Sequence, residues 1–298
     1  MPAALFKEFE LTVLGEGERL QVFYSSGTTE QKRSRHYHSQ QSIGLYEASL
    51  LSWFRVQIPV DDRMRIVSLT PAAGGAPNSS LVHMFDCVGQ LSGGTKFCGF
   101  LDADNAWSVD FGEVVDVLGD AVEGTRPVLL MGTAFSFVHL LDWMKSERKE
   151  IRLPNGSKLL ETGGYKGRSR EVPKLDLYKG MQFRFGVPDK NIVCEYGMSE
   201  LSSQAYDTSR VTDKTGVVLR CFRFPPWARA MVISPETGKE VAEGEIGLLR
   251  IYDLANVYSV MAVQTEDLAV KRDDAFELIG RMPRSEPRGC SLMPAAES

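Results

Sequence analysis

The first stretch with chemical potential is Tyr24-Ser25-Ser26-Gly27-Thr28-Thr29. Small hydroxylated residues around a glycine let the backbone come close to an anion, and hydroxyls and N–H groups then supply several donors. Lys32, Arg33 and Arg35 follow and can add positive charge. No Gly-Lys-Ser/Thr completes a mononucleotide P-loop. The segment therefore reads either as a phosphate loop of another kind or as an ordinary Ser/Thr-rich turn.

Glu195-Tyr196-Gly197-Met198-Ser199-Glu200 is the second such segment. A carboxylate at a strand end, beside a hydroxyl and an aromatic ring, can hold Mg2+ on a nucleotide while the ring stacks on the base. A strand-to-helix turn with a serine cap and a first-turn glutamate explains the same residues. Later come Gly244-Glu245-Ile246-Gly247, Thr265-Glu266-Asp267 and Gly280-Arg281. A carboxylate accepts hydrogen bonds from paired ribose hydroxyls, and a nearby arginine adds a donor. Taken singly, each of these pieces is also an unremarkable turn.

The elements that must position these segments follow from apolar spacing and turn residues. Residues 20–24, 65–69, 127–131, 159–161 and 192–196 read as strands. Residues 39–54, 79–87, 111–121, 135–145 and 176–185 read as helices, the second of them capped by Ser79 or Ser80. Past about residue 216, short strand-like runs (216–220, 229–233, 247–252, 276–279) alternate with turns. Strands alternating with helices predict an α/β fold with a mostly parallel sheet flanked by helices, and the last part predicts a β-rich C-terminal portion. Residues 132–139 are apolar enough to line an acyl channel, although a buried helix accounts for them equally well.

The chain has 298 residues, 43% of them hydrophobic and 24% charged, which suits a globular protein with a sizeable core. A net charge of −5 excludes a general nucleic-acid binder, which needs a basic surface. No apolar run approaches the roughly 18–20 residues that span a bilayer, and no signal peptide is read at the N-terminus. The five cysteines (Cys87, Cys98, Cys194, Cys221, Cys290) are scattered, without a zinc or disulfide pattern. They read as reduced thiols of a cytoplasmic protein, all but Cys290 serving as core residues. His36, His38, His83 and His139 suggest no ligand cluster, and His36 and His38 read as a solvated loop or helix start.

The order and spacing of the segments resemble the adenylate-forming superfamily of acyl-CoA ligases, adenylation domains and luciferases. Within it the chain is most similar to the LuxE-type acyl-protein synthetase family. The family-specific parts are Glu161-Thr162-Gly163-Gly164-Tyr165-Lys166-Gly167-Arg168-Ser169 and the tail Arg288-Gly289-Cys290-Ser291-Leu292, with Ser34-Arg35 and Ser79-Ser80-Leu81 in support. The resemblance implies the large-domain fold of adenylate-forming enzymes over residues 1–275, with sub-regions of about 1–158 and 159–275. Residues 276–298 would form a short tail carrying Cys290, without a full C-terminal lid domain.

That likeness implies ATP and Mg2+ as cofactors and a fatty or other carboxylic acid as substrate. An acyl-adenylate would form first, and its acyl group would pass to a cysteine, for delivery to an acyl-reductase or acyl-carrier partner. Ser25, Ser26, Gly27, Thr28 and Thr29 would contact the phosphates, and Gly163, Gly164 and Gly197 would line the nucleotide pocket. Tyr196 would lie on the adenine, Ser199 near the α-phosphate, Glu200 on Mg2+, and Asp267 on the ribose with Arg281 beside it. Cys290 would accept the acyl group. The roughly ten residues from Gly280 to Cys290 span up to about 33–36 Å when extended, and Arg284 and Arg288 favour the thiolate that thioester formation requires.

Three departures from the family pattern stand out, one of them an N-terminal lead before the loop that is short for the family. Glu30 follows Thr29 where the family has glycine, placing a carboxylate near the triphosphate, and Glu266 replaces the glycine of Thr-Gly-Asp. Two other readings stay open: an adenylating ligase that passes the acyl group to CoA or a carrier, and a degenerate relative that binds nucleotide without turnover.

Overall fold

The computed structural model describes residues 1–25, 32–103, 106–163, 172–212, 216 and 218–282. A short helix α1 (Leu5–Glu8) precedes the hairpin β1 (Gln21–Tyr24) and β2 (Arg35–His38). There follow α2 (Gln40–Gln57), β3 (Arg65–Ser68), α3 (Ser80–Gly89), β4 (Thr95–Phe97), a small hairpin β5 (Gly99–Leu101) and β6 (Trp107–Val109), α4 (Phe111–Glu123), β7 (Val128–Thr133) and α5 (Ala134–Ser146). Next come β8 (Lys158–Thr162), α6 (Lys174–Phe185) and β9 (Ile192–Tyr196). The antiparallel part consists of β10 (Ala205–Thr212), β11 (Val218–Arg223), β12 (Ala228–Ile233), β13 (Ile246–Asp253), β14 (Ala262–Arg272) and β15 (Ala275–Arg281).

Among the described residues one 11-stranded sheet runs in the order β12-β13-β14-β15-β11-β10-β9-β8-β7-β3-β4. The strands β4, β3, β7, β8 and β9 pair in parallel, as the alternation of strands and helices predicts. From β9 onward every pairing is antiparallel. The β-rich portion is thus a continuation of the same sheet.

Helices cover both faces of the parallel part, and the strand sequences show it. Along β7, Val128 and Leu130 enter one core with Leu118, Phe137, Leu140 and Leu177 from α4, α5 and α6. Leu129 and Met131 enter the other, with Tyr46, Leu50, Phe54 and Phe85 from α2 and α3. Both faces of such a strand are apolar, so it reads as a continuous hydrophobic run. The helix starts are set by capping side chains: Ser39, Ser79, Asp110 and Thr133 each accept a backbone N–H of the first turn. Helix α6 begins after Pro173 and stops at Gly186, whose φ of 68° suits the left-handed cap. The 132–139 segment is the end of β7 and the start of α5, with Phe137 and Val138 packed in the core.

Candidate functional site

The parallel strands end together. Thr133 on β7 pairs with Thr162 on β8, and Thr162 pairs with Glu195 on β9. In open parallel sheets ligands bind beyond these carboxyl ends, and the chains leaving β8 and β9 there begin with the candidate residues Gly163 and Gly197. Gly163 has φ +71°, and among the described residues no atom lies within 4 Å of where a side chain would stand. A Cβ at Gly197 would come within 2.2 Å of Glu195 Oε1, so any larger residue would force that carboxylate to shift. Glu195 is buried, and its Oε2 accepts the hydroxyl of Thr162.

Tyr196, Asp267 and Arg281 converge from three strands. The Tyr196 hydroxyl donates to Asp267 Oδ2 at 2.7 Å, and Arg281 Nε donates to Asp267 Oδ1 at 3.2 Å. Asp267 and Arg281 are direct cross-strand partners on β14 and β15. The Tyr196 ring lies edge-on to Phe222, Phe224 and Phe276, which fix its plane. Burial, and then the Asp267 carboxylate, hold its phenol well above the usual range, so the ring presents a neutral donor. Thr265 supports the carboxylate from below: its hydroxyl accepts Asp267 N and donates to Leu249 O.

The Ser/Gly/Thr loop joins β1 to β2. Its residues Ser26, Gly27, Thr28 and Thr29, like Glu30, lie outside the described residues, as do Gly164 and Cys290. Its stem is defined: Ser25 N donates to Ser34 O at 3.1 Å, and Ser34 N donates back to Ser25 Oγ at 2.9 Å. The Ser34 side chain also hydrogen-bonds the Glu200 carboxyl. Glu200 is buried, and that burial raises its pKa, with the Ser34 bond opposing the rise. The loop stem is thus linked to the carboxylate expected to hold Mg2+. Of the three basic residues after the loop, Lys32 is paired with Glu8 and Arg35 with Glu10, so two of the expected phosphate partners are already engaged.

The structure corrects the reading of the histidines. His36 and His38 are on β2 and buried, at 3% and 1% exposure, instead of solvated. His36 Nδ1 lies 2.8 Å from Ser199 O, and the two imidazoles are 4.3 Å apart. His83 forms a group with Glu47 and Cys87 that spacing in the sequence does not reveal. The four cysteines other than Cys290 are buried, as expected.

Sequence reasoning also missed the residues that hold the 199–204 turn. Asp253, at the end of β13, accepts the N–H groups of Ser202 and Ser203 at 2.9 and 2.8 Å. Asn256 donates to Glu200 O at 2.7 Å and accepts from Ser202 Oγ at 2.7 Å. The one sequence signal was the pair Asp253 and Asn256 bracketing a turn, a pattern too common to single out. A second missed group lies between α6 and the strands β8 and β9. Glu161, fully buried, accepts from Tyr178 at 2.9 Å and pairs with Lys174 at 3.1 Å, and Lys174 Nζ lies 2.8 Å from Cys194 Sγ. Gly247 proves structural: a Cβ there would meet Ile233 O at 2.6 Å across the β12–β13 pair.

Among the described residues no helix is long and apolar enough to cross a membrane. The architecture is that of adenylate-forming enzymes. ATP-bound MatB from Rhodopseudomonas palustris superposes with a TM-score of 0.56 at 17% identity, covering 90% of this chain and 49% of that one. A luciferase-like enzyme of the mealworm Zophobas morio gives 0.58 at 16% identity, covering 94% and 61%. McyG A-PCP with phenylalanyl-adenylate gives 0.59 at 12%, covering 92% and 49%. The chain therefore spans about half the length of MatB and McyG A-PCP. Two long-chain-fatty-acid–luciferin-component ligases are similar over 98% of the chain. The Aliivibrio fischeri protein is 23% identical with 76% of its length covered, and the Vibrio harveyi protein 22% identical with 75% covered. The model of the acyl-protein synthetase (LuxE) family matches residues 1–296, and the chain belongs to that family.

Proposed function

We propose that the protein uses ATP to activate a carboxylic acid, a fatty acid by the names of its relatives, and passes the acyl group from the adenylate to Cys290. The observation that carries the reading is the meeting of Tyr196, Asp267 and Arg281 beside the turn of Ser199 and Glu200, at the carboxyl ends of β8 and β9. Tyr196 offers a ring edge for adenine, Asp267 a carboxylate for the ribose hydroxyls, and Arg281 a donor on its rim. Ser25, with Ser26, Gly27, Thr28 and Thr29 beyond it, takes the phosphates, and Gly163 and Gly164 leave room for the nucleotide.

Mg2+ fits the donor set. A single buried carboxylate whose ionisation burial disfavours gains from a cation, and Mg2+ is commonly held by one or two carboxylates together with substrate phosphates. Bound at Glu200, it would supply neutralisation of phosphate charge. The chain's own residues do the rest. Ser34 and Asn256 fix Glu200, and His36 fixes Ser199 through its carbonyl. The partner that receives the acyl group is an acyl reductase or carrier.

The test is incubation with ATP, Mg2+ and a radiolabelled long-chain fatty acid, followed by denaturing gel analysis. Label that hydroxylamine removes, and that Cys290→Ser abolishes while pyrophosphate release persists, is expected. Pyrophosphate release with no label on the wild-type protein would move the acceptor to CoA or a carrier. No pyrophosphate with any acid would overturn the activation itself.

A further inference from the structure

The contact between α2 and α3 holds a group of side chains that acid activation does not use. His83 and Cys87 are four residues apart on α3, so both face the same side of the helix. Glu47 reaches across from α2, and its Oε1 stands 3.0 Å from His83 Nε2. One donor atom from each of Glu47, His83 and Cys87 lies within 4.8 Å of the other two. Phe23 and Tyr46 pack on the His83 ring with centroids at 5.4 and 5.7 Å and limit its orientation. Cys87 is buried at 3% exposure, while the side chains of His83 and Glu47 are 28% and 41% exposed. The group thus has a fixed apolar floor and a side open to solvent.

We propose that Glu47, His83 and Cys87 form a site for a borderline-soft divalent cation of the zinc class. One thiol, one imidazole and one carboxylate are the three side-chain types that bind zinc, and three protein ligands leave a fourth tetrahedral position for water. Magnesium and calcium take oxygen ligands and would leave the sulfur and nitrogen unused. Bond lengths of about 2.0–2.3 Å place tetrahedral ligand atoms roughly 3.3–3.8 Å apart. Glu47 Oε1 and His83 Nε2 already stand 3.0 Å apart, so what remains is an approach of about an ångström between this pair and the Cys87 sulfur, made by the partly exposed Glu47 and a small shift of the packed His83 ring. The cation would tie α2 to α3, and with them the helix that follows the loop-bearing hairpin.

Cobalt(II) is the probe, since it adopts zinc-like sites and reports its ligands. Titration of the full-length protein with Co2+ alone is expected to give one equivalent showing a thiolate-to-cobalt charge-transfer band and intense visible bands of four-coordination, bleached by Zn2+. In Cys87→Ser the charge-transfer band disappears. In Glu47→Gln and His83→Gln affinity falls by at least about 100-fold, more than loss of a supporting hydrogen bond would give. Because Cys87 is buried, the two partly exposed positions also carry a second readout. Zn2+ raises the Tm of the wild type and leaves that of Glu47→Gln unchanged, the metal-free midpoints of the two being alike. A wild-type spectrum without the charge-transfer band overturns the proposal. So does a band that survives in Cys87→Ser, since another of the five cysteines would then carry it.

Discussion

Tyr196 and Asp267, 71 residues apart in sequence, share a 2.7 Å hydrogen bond that closes the sheet end over which a nucleotide would sit. The bond ties the last residue of the parallel half, on β9, to β14, the second-last strand of the antiparallel half. It joins the aromatic proposed to lie on the base to the carboxylate proposed to bind the sugar, so these two groups stand at a fixed separation.

Substitution should separate the two roles. Asp267→Asn keeps an acceptor for Tyr196 but loses the charge, and is expected to weaken ATP binding at least tenfold with little change in Tm. The ion pair lost with it is mostly solvent-exposed at Arg281, where such pairs contribute about 0–1 kcal/mol. Tyr196→Phe removes a hydrogen bond to a charged group and should cost about 1.5–3 kcal/mol of stability by denaturant titration. Unchanged nucleotide affinity in Asp267→Asn would remove Asp267 from the ribose site.

Ser34 opposes the effect of burial on Glu200. Burial raises the pKa of this carboxyl and the Ser34 hydrogen bond lowers it. Ser34→Ala removes the lowering influence, so a larger fraction of Glu200 is protonated at a given pH. The acid limb of the pH profile for ATP–pyrophosphate exchange is expected to move to higher pH, with the rate at high pH largely kept. Loss of rate at every pH, with no movement of the limb, would mean that Ser34 acts on the loop stem and not through Glu200.

Much of the fold was legible because β7 is an unbroken apolar run, α4 has a clear apolar stripe, and α2, α4 and α5 have plain caps. β2 was not legible. Arg35-His36-Tyr37-His38 alternates two histidines with two polar-tipped residues, and histidine at a buried position looks like histidine in a loop until the neighbours are known. The antiparallel half was read only in fragments, since β14 is 11 residues long and broken by Gln264, Glu266 and Asp267. Those polar positions line the site or face outward, and their periodicity of two is blurred by the register shift between Leu268 and Ala269. The site residues themselves came from motif order. Their supports, Ser34, His36, Asp253 and Asn256, are joined by long-range contacts that no local pattern encodes.

Lys174 supplies the countercharge of Glu161, a fully buried glutamate on β8. Glu161 has 0% exposure and depends on Lys174 and Tyr178, while the Lys174 side chain is 47% exposed. Removing one partner of a buried pair leaves an uncompensated charge, at about 3–5 kcal/mol when both are buried. With Lys174 half exposed and Tyr178 still donating, Lys174→Met is expected to cost about 2 kcal/mol in urea titration. Adding Glu161→Gln should recover part of that loss. A double variant less stable than Lys174→Met alone would show that Glu161 does not need its countercharge.

His36 and His38 make the fold sensitive to acid. Burial lowers the pKa of His36 to about 4 and that of His38 to about 2, the latter also through the nearby His36 and His83. Both stay neutral in the fold, while in the unfolded chain they take up protons below an ordinary value near ~6.5. The unfolded state therefore binds more protons, and stability is lost as pH falls below about 6.5, by about 2 kcal/mol per histidine at pH ~5. Glu200 and Asp253 act in the opposite sense, because burial raises their pKa and protonation then favours the fold. The difference between two variants cancels that contribution. His38 makes the cleaner test, since among the described residues no group stands within hydrogen-bond geometry of either buried ring nitrogen, and its ring packs 5.1 Å from Phe23. His38→Phe should be more stable than wild type at pH ~7 by about 1–3 kcal/mol, the cost of an unsatisfied buried polar group, and its advantage should widen by about 2 kcal/mol at pH ~5. Urea titrations of both proteins at the two pH values decide it. An advantage that does not grow on acidification would show that His38 is protonated in the folded protein.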